Sequence, residues 1–147
     1  MPVLAINKRA NFDYEILQKY EAGLSLAGQE VKSAKAGNVQ LKGAYVSIAN
    51  GQASVINMHI GAYPKAGPLP SYNPTRTRQL LLHKREINHL IGKKQELGLT
   101  LVPLRVYTKR NRVKLEFGIG RGKKKFDKRD DIKRRDVKRD LRRKYAV

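Results

Sequence analysis

The chain has 147 residues, with 32 Lys/Arg against 12 Asp/Glu, a formal net charge of +20 and a pI near 10.5. Cysteine is absent, which excludes a disulfide scaffold and thiolate zinc sites and fits a reducing cytoplasmic setting. Apolar residues make up 40 %, enough for one hydrophobic core, so the body is not a disordered polycation. Such a positive excess calls for a polyanion, most commonly nucleic acid, bound by counterion release and weakened by salt. The short Met1–Asn7 start and the lack of an apolar run of about 18 residues predict no signal peptide and no membrane partner.

Residues Tyr14 to Leu26 alternate with period two: Tyr14, Ile16, Tyr20, Ala22, Leu24 and Leu26 share one face, with Gln18 the lapse. That predicts a long half-buried strand. Gly28 then opens a helix from Gln29 to Ala36, stopped by Gly37-Asn38, with Val31 and Ala34 inward and Lys32 and Lys35 in water. Two strands follow, Ala44 to Ala49 and Ala53 to Ile60, joined by Asn50-Gly51, a dipeptide suited to the positive φ of a tight hairpin. The Gly61–Gln79 stretch holds four of the six prolines and reads as a long loop, with a short strand at Arg78 to Leu82. A second helix, Lys84 to Leu97, ends at Gly98. Leu99 to Tyr107 and Arg112 to Ile119 then form a hairpin turning at Lys109-Arg110-Asn111. Alternation of this kind predicts a mainly β fold. A small closed Greek-key barrel of the OB type is the leading form, with a sandwich or an open α+β sheet as alternatives.

From Arg121 onward there are 14 Lys/Arg against 5 Asp. Asp130–Arg134, Asp131–Arg135 and Asp140–Lys144 are helix-compatible pairs with the acid first. Ile132 points away from Val137, Leu141 and Tyr145, so this tail has no face to bury. It is expected to be unfolded alone and helical on an RNA partner. Gly118-Ile119-Gly120-Arg121-Gly122 lacks the Lys-Ser/Thr of a phosphate-binding loop and reads as a release of the tail from the last strand.

Catalysis has little support. His59, His83 and His89 have no metal-ligand spacing, no nucleophile–base arrangement appears, and neither enzyme activity, cofactor nor metal is expected. The candidate RNA contacts are several. Glu30 either accepts from base amines or is a first-turn acid favoured by the helix dipole. Asn57 and His59 share the outward face of their strand and are suited to hydrogen bonding or stacking, or form a plain wet face. Arg76, Arg78, Lys84 and Arg85 cluster around the exit of the proline-rich loop as phosphate contacts or a solvated face. Lys123, Lys124 and Lys125 are a dense phosphate-binding run, and Phe126 is an aromatic with no core to enter, suited to stacking on a base.

Seven stretches occur in an order that resembles the SmpB family, the tmRNA-binding proteins of bacterial trans-translation. They are Asn7-Lys8-Arg9-Ala10 with Asp13-Tyr14; Tyr20-Glu21-Ala22-Gly23; Gly28-Gln29-Glu30-Val31-Lys32-Ser33; Asn57-Met58-His59-Ile60; Arg78 to Lys84; Thr100 to Leu104; and Gly122-Lys123-Lys124 with Asp127-Lys128-Arg129. The resemblance implies an OB-type barrel of about six strands with two or three short helices over residues 1–122, and a basic tail, 123–147, disordered when free. It implies binding to transfer-messenger RNA at its tRNA-like domain; nothing in the sequence indicates more than a monomer. Elongation factor Tu takes part through the alanyl-tmRNA, and the destination is the 70S ribosome, with its 16S rRNA, stalled on a message. By position, Glu30, Lys32, Asn57, His59, Lys123 and Lys124 fall on the tmRNA face, joined by Arg76, Arg78 and Lys84. Lys125, Phe126, Asp127, Lys128, Arg129, Lys133 and Arg134 fall to the decoding centre and the messenger channel. Gln29 stands where the family usually has Thr, and Phe126 where many members have His or Tyr. The alternative is a ribosomal or initiation-factor-type OB protein that binds rRNA.

Overall fold

The computed structural model of the chain describes residues 2–67, 70–95 and 98–123. In chain order the elements are β1 (Val3–Ile6), α1 (Ala10–Asp13), β2 (Tyr14–Leu24), α2 (Gly28–Lys35), β3 (Val39–Gln40), β4 (Tyr45–Ala49), β5 (Gln52–Ile56) and β6 (His59–Ile60). A 3-10 turn (Pro64–Ala66) precedes β7 (Arg78–Leu81), α3 (Lys84–Lys94), β8 (Leu99–Lys109) and β9 (Arg112–Gly122). Seven strands form one antiparallel sheet in the order β1-β8-β9-β2-β7-β5-β4, and β3 pairs with β6 in a small second sheet. The fold is mainly β, as the alternation implies, with β1, α1 and β3 added to the elements expected. Among the described residues the edge strands β1 and β4 do not pair, so the hydrogen-bonded ladder is open where the sequence suggested a closed barrel. β4 instead lies against β8.

Both tight hairpins have the backbone their sequences call for. Asn50 and Gly51 take φ of 54° and 73°, and Arg110 and Asn111 take 51° and 66°. Positive φ at both central residues matches the twist of the flanking strands. Val55, Met58, Ile60, Leu80, Leu90, Val106, Leu115 and Phe117 are almost wholly buried and form the core between the curled sheet and the helices. Asn7 ties β1 to β8: its N–H donates to the Leu104 carbonyl and its Nδ2 to the Pro103 carbonyl, each at 2.8 Å.

The long strand β2 differs from its reading in one respect. Its register on β9 slips between Ile16 and Gln18, leaving Leu17 as an extra, exposed residue. A one-residue slip reverses the buried face. Tyr14 and Ile16 therefore pack with Ala10, Val102 and Leu104 in a small separate cluster, while Tyr20 and Leu24 pack against the main core and Ala22 lies within it. The glycines after Phe117 serve this arrangement rather than releasing the tail. A Cβ on Gly118 would sit 2.8 Å from both the Gln18 carbonyl oxygen and Ile16 Cγ2, and one on Gly120 would sit 3.1 Å from Tyr14 Cβ and from Val102 Cγ2. Only a hydrogen lets β2 cross β9 so closely, and beyond the slip β9 stays paired with β2 as far as Gly122.

The strand expected from Ala53 to Ile60 is interrupted. Asn57 has φ of 63°, a left-handed conformation that Asn tolerates better than most residues, so β5 ends and β6 begins anew in the second sheet.

Candidate nucleic-acid interface

The centre of the candidate site is a buried ion cluster. Glu30, in the first turn of α2, and Arg78, at the start of β7, have no exposed surface. Burying a carboxylate and a guanidinium is tolerable only when both are paired and their remaining polar atoms are satisfied. Here they are. Arg78 Nε donates to Glu30 Oε2 at 2.8 Å, and its terminal nitrogens donate to the carbonyls of Met58, Arg76 (3.2 Å) and Pro74 (2.9 Å) and to the Tyr72 hydroxyl (3.1 Å). Tyr72 in turn donates to the Ile60 carbonyl at 2.8 Å. Arg76 adds its own fork to Glu30, with Nε 3.2 and 3.1 Å from the two oxygens. The Ala27 N–H completes the shell at 2.9 Å, the side-chain half of a helix-capping arrangement. Burial by itself would raise the Glu30 pKa. The bonds from Arg76, the Ala27 N–H and Arg78 outweigh it and hold the carboxyl at about 2.

Of the candidate RNA contacts, Glu30 and Arg78 are inside the protein and bonded to each other. Arg76 is partly exposed, with 38 % of its side chain in solvent. Lys32 is exposed on α2, and Lys84 is exposed at the start of α3. Asn57 is exposed at the break before β6. His59 is half-buried, and its Nδ1 is buried with no hydrogen-bond partner among the described residues. The helix α2 lies against β6, and Ser33 Oγ donates to the Gly61 carbonyl, so Lys32 and the Asn57–His59 segment belong to one corner of the fold.

Lys123 is elsewhere. Its N–H donates to the Asp13 carbonyl at 2.9 Å and its Nζ to the Asn11 carbonyl at 2.6 Å. Tyr14 pairs with Gly122 and Leu24 with Leu80, so Lys123 and the ion cluster lie at opposite ends of β2, roughly 30 Å apart along an extended strand of this length. Lys124, Lys125, Phe126, Asp127, Lys128, Arg129, Lys133 and Arg134 lie outside the described residues.

A second surface was not read from the sequence. A groove of about 420 Å³ runs between β7, β5 and the start of α3, lined by Gln79, Leu81, His83, Glu86, Glu21 and Lys114 among others. Leu81 is 55 % exposed, unusual for a Leu inside a strand. The β8–β9 hairpin beside it carries Lys109, Arg110, Arg112 and Lys114. Glu21 is the acid among these cations: it accepts from the Tyr107 hydroxyl and from Lys109 Nζ at 3.3 Å. The bond from Tyr107 is the main reason its pKa is lowered, with burial opposing and Lys109 assisting. Tyr107 is pushed up, first by its own burial and then by Glu21. The available signal was the run Leu80-Leu81-Leu82: in a strand, the middle residue must face away from its neighbours.

Among the described residues no group of His, Asp and Glu is arranged to hold a metal ion, and no helix is long and apolar enough to cross a membrane. Fold and site define a small, strongly basic β-domain whose buried acid is neutralised from within by Arg78 and from the surface by Arg76. The chain belongs to the SmpB family, whose model, described as SmpB protein, matches residues 4–147. It is 52 % identical over 148 residues to the SsrA-binding protein of Coprothermobacter proteolyticus, covering 100 % of this chain and 99 % of that one. It is 49 % identical over 141 residues to the SsrA-binding protein of Roseiflexus sp., covering 96 % and 89 %. A chain in the solved structure described as "tmRNA-SmpB: a journey to the center of the bacterial ribosome" is 43 % identical, with a TM-score of 0.69 and coverage of 90 % of this chain and 95 % of that one.

Proposed function

We propose that this protein binds SsrA RNA, the transfer-messenger RNA, and delivers it to stalled ribosomes in trans-translation, as a binding protein and not an enzyme. The observation that carries the reading is the match at about half identity, over essentially the whole chain, to proteins named SsrA-binding protein. The chemistry agrees with it. A net charge of +20 supplies salt-sensitive phosphate affinity, and a rigid body can recognise folded RNA by shape and backbone contacts.

In this reading the curled sheet is an OB-type Greek-key barrel with one unpaired seam. The body, residues 1–122, holds the tRNA-like domain through Lys32, Asn57, His59, Arg76, Lys84 and the cations of the β8–β9 hairpin beside the Leu81 groove. Lys123 and Lys124 join this RNA face from the far end of β2, and Glu30 and Arg78 support it from within. The basic tail, 123–147, enters the vacant messenger channel, with residues 125–129, Lys133 and Arg134 at the decoding centre. An occupied channel excludes the tail sterically, so occupancy is what it senses. Alanyl-tmRNA brings elongation factor Tu, and the setting is the bacterial cytoplasm.

The test is affinity capture of the tagged full chain from a bacterial lysate, followed by RNA sequencing. One dominant structured RNA containing a short coding segment supports the reading. Enrichment of rRNA fragments without that RNA overturns it in favour of a ribosomal or initiation-factor-type role.

A further inference from the structure

We propose that Arg78 is a positioning residue for RNA recognition: it fixes the backbone on either side of His59, and so sets how Asn57 and His59 are presented, without meeting a phosphate itself. The proposal rests on the reading that this corner faces SsrA RNA.

The argument starts from the two edges of β6. One edge is its ladder with β3, where His59 pairs with Gln40 and Ile60 with Val39. On the other edge, the carbonyls of Met58 and Ile60 meet no strand. The Arg78 guanidinium takes the first and the Tyr72 hydroxyl takes the second at 2.8 Å, while the Ile60 N–H donates to the Pro74 carbonyl at 3.0 Å. Side chains and polymer therefore stand in for a missing strand. The Met58 and Ile60 side chains are buried in the core. In an extended segment, fixing both neighbours leaves the His59 side chain one direction, the opposite face. Arg78 reaches this edge because Glu30 holds it from α2 and the Pro74 and Arg76 carbonyls hold it from the loop. It thus joins three segments distant in sequence. A guanidinium presents five N–H donors in a fixed fork, a geometry an ammonium cannot copy. With no exposed surface, Arg78 has no donor left for an RNA phosphate.

The test compares wild type, Arg78→Lys, Tyr72→Phe and His59→Ala as full chains. Affinity for tmRNA is titrated at several salt concentrations, and folding is followed by thermal melting. Arg78→Lys is expected to weaken binding roughly five- to tenfold, about the loss of one well-placed hydrogen bond. Its log affinity against log salt should keep the wild-type slope, because no phosphate contact is lost. Tyr72→Phe, which removes the hydroxyl shared by Ile60, Arg78 and Glu30 but leaves the Arg78 bond to the Met58 carbonyl, should show a smaller loss at the same slope and keeps the proposal testable if Arg78→Lys does not fold. A slope lowered by roughly 0.7–0.9 identifies a direct phosphate contact and overturns the proposal. So does wild-type affinity in a folded but less stable Arg78→Lys or Tyr72→Phe. Undiminished binding by His59→Ala overturns instead the reading that this corner faces the RNA.

Discussion

Replacing Glu30 by Gln is the sharpest perturbation of the body. The substitution keeps size and some hydrogen bonding but leaves the buried Arg78 and half-exposed Arg76 without a counter-charge. Glu30 titrates at about 2 in the folded protein against an ordinary value of 4.5. A carboxylate held below its ordinary value stabilises the fold above the unfolded pKa, and that stabilisation is lost as pH falls toward the folded one. At 1.36 kcal/mol per pH unit the contribution is about 3 kcal/mol, similar to the cost of breaking a buried ion pair. For a domain of this size that corresponds to a melting temperature roughly 6–12 °C lower at pH 7. The assay is urea unfolding of wild type and Glu30→Gln at pH 7, 5, 4 and 3. The gap should be about 3 kcal/mol and constant down to near pH 5, then narrow as the pH approaches 2. A gap below about 1 kcal/mol at pH 7, within the range of an exposed pair, would refute the cluster's energetic role, as would a gap unchanged at pH 3.

Other outcomes follow from the same geometry. Gly118→Ala forces a methyl to within 2.8 Å of a β2 carbonyl and should cost about 1–3 kcal/mol in the same unfolding assay, as overpacked sites do. Leu81→Glu places an acid on an exposed groove position, so its thermal melt should match wild type while tmRNA affinity in a filter-binding titration falls about tenfold. Deleting residues 124–147 leaves the body and the Lys123 contacts in place, so tmRNA binding should persist while tagging on stalled ribosomes in a reconstituted translation system is abolished.

The elements legible in the sequence are those with a local cause. Asn50-Gly51 and Arg110-Asn111 determine their turns, and the alternation of Val113, Leu115, Phe117 and Ile119 determines the buried face of β9. The bulge at Leu17 was illegible because its two flanks have the same parity: Tyr14 and Ile16 look continuous with Tyr20 and Ala22, although they enter a different cluster. The break at Asn57 differs: the buried positions switch parity across it, from Ala53 and Val55 to Met58 and Ile60. Glu30 read equally as an acceptor for base amines or as a first-turn acid favoured by the helix dipole, and neither reading placed it in the interior. Nothing local announces partners 46 and 48 residues further along the chain. Arg76 and Arg78 looked alike as loop-exit cations, and only the fold separates the half-exposed one from the buried one. The groove beside Leu81 depends on β7 pairing between β2 and β5, a non-local arrangement that propensity does not encode.

The central claim, a basic β-body that recognises one folded RNA, is tested most directly by competition. Labelled tmRNA is bound to the full chain at near-physiological salt and challenged with unlabelled tmRNA or with an equal mass of 16S rRNA fragments. The account predicts displacement by unlabelled tmRNA at concentrations at least 100-fold below those needed with rRNA, in line with the roughly 10³-fold or greater preferences of specific nucleic-acid binders. Equal displacement by both would mean that the +20 charge alone is acting and would contradict the account.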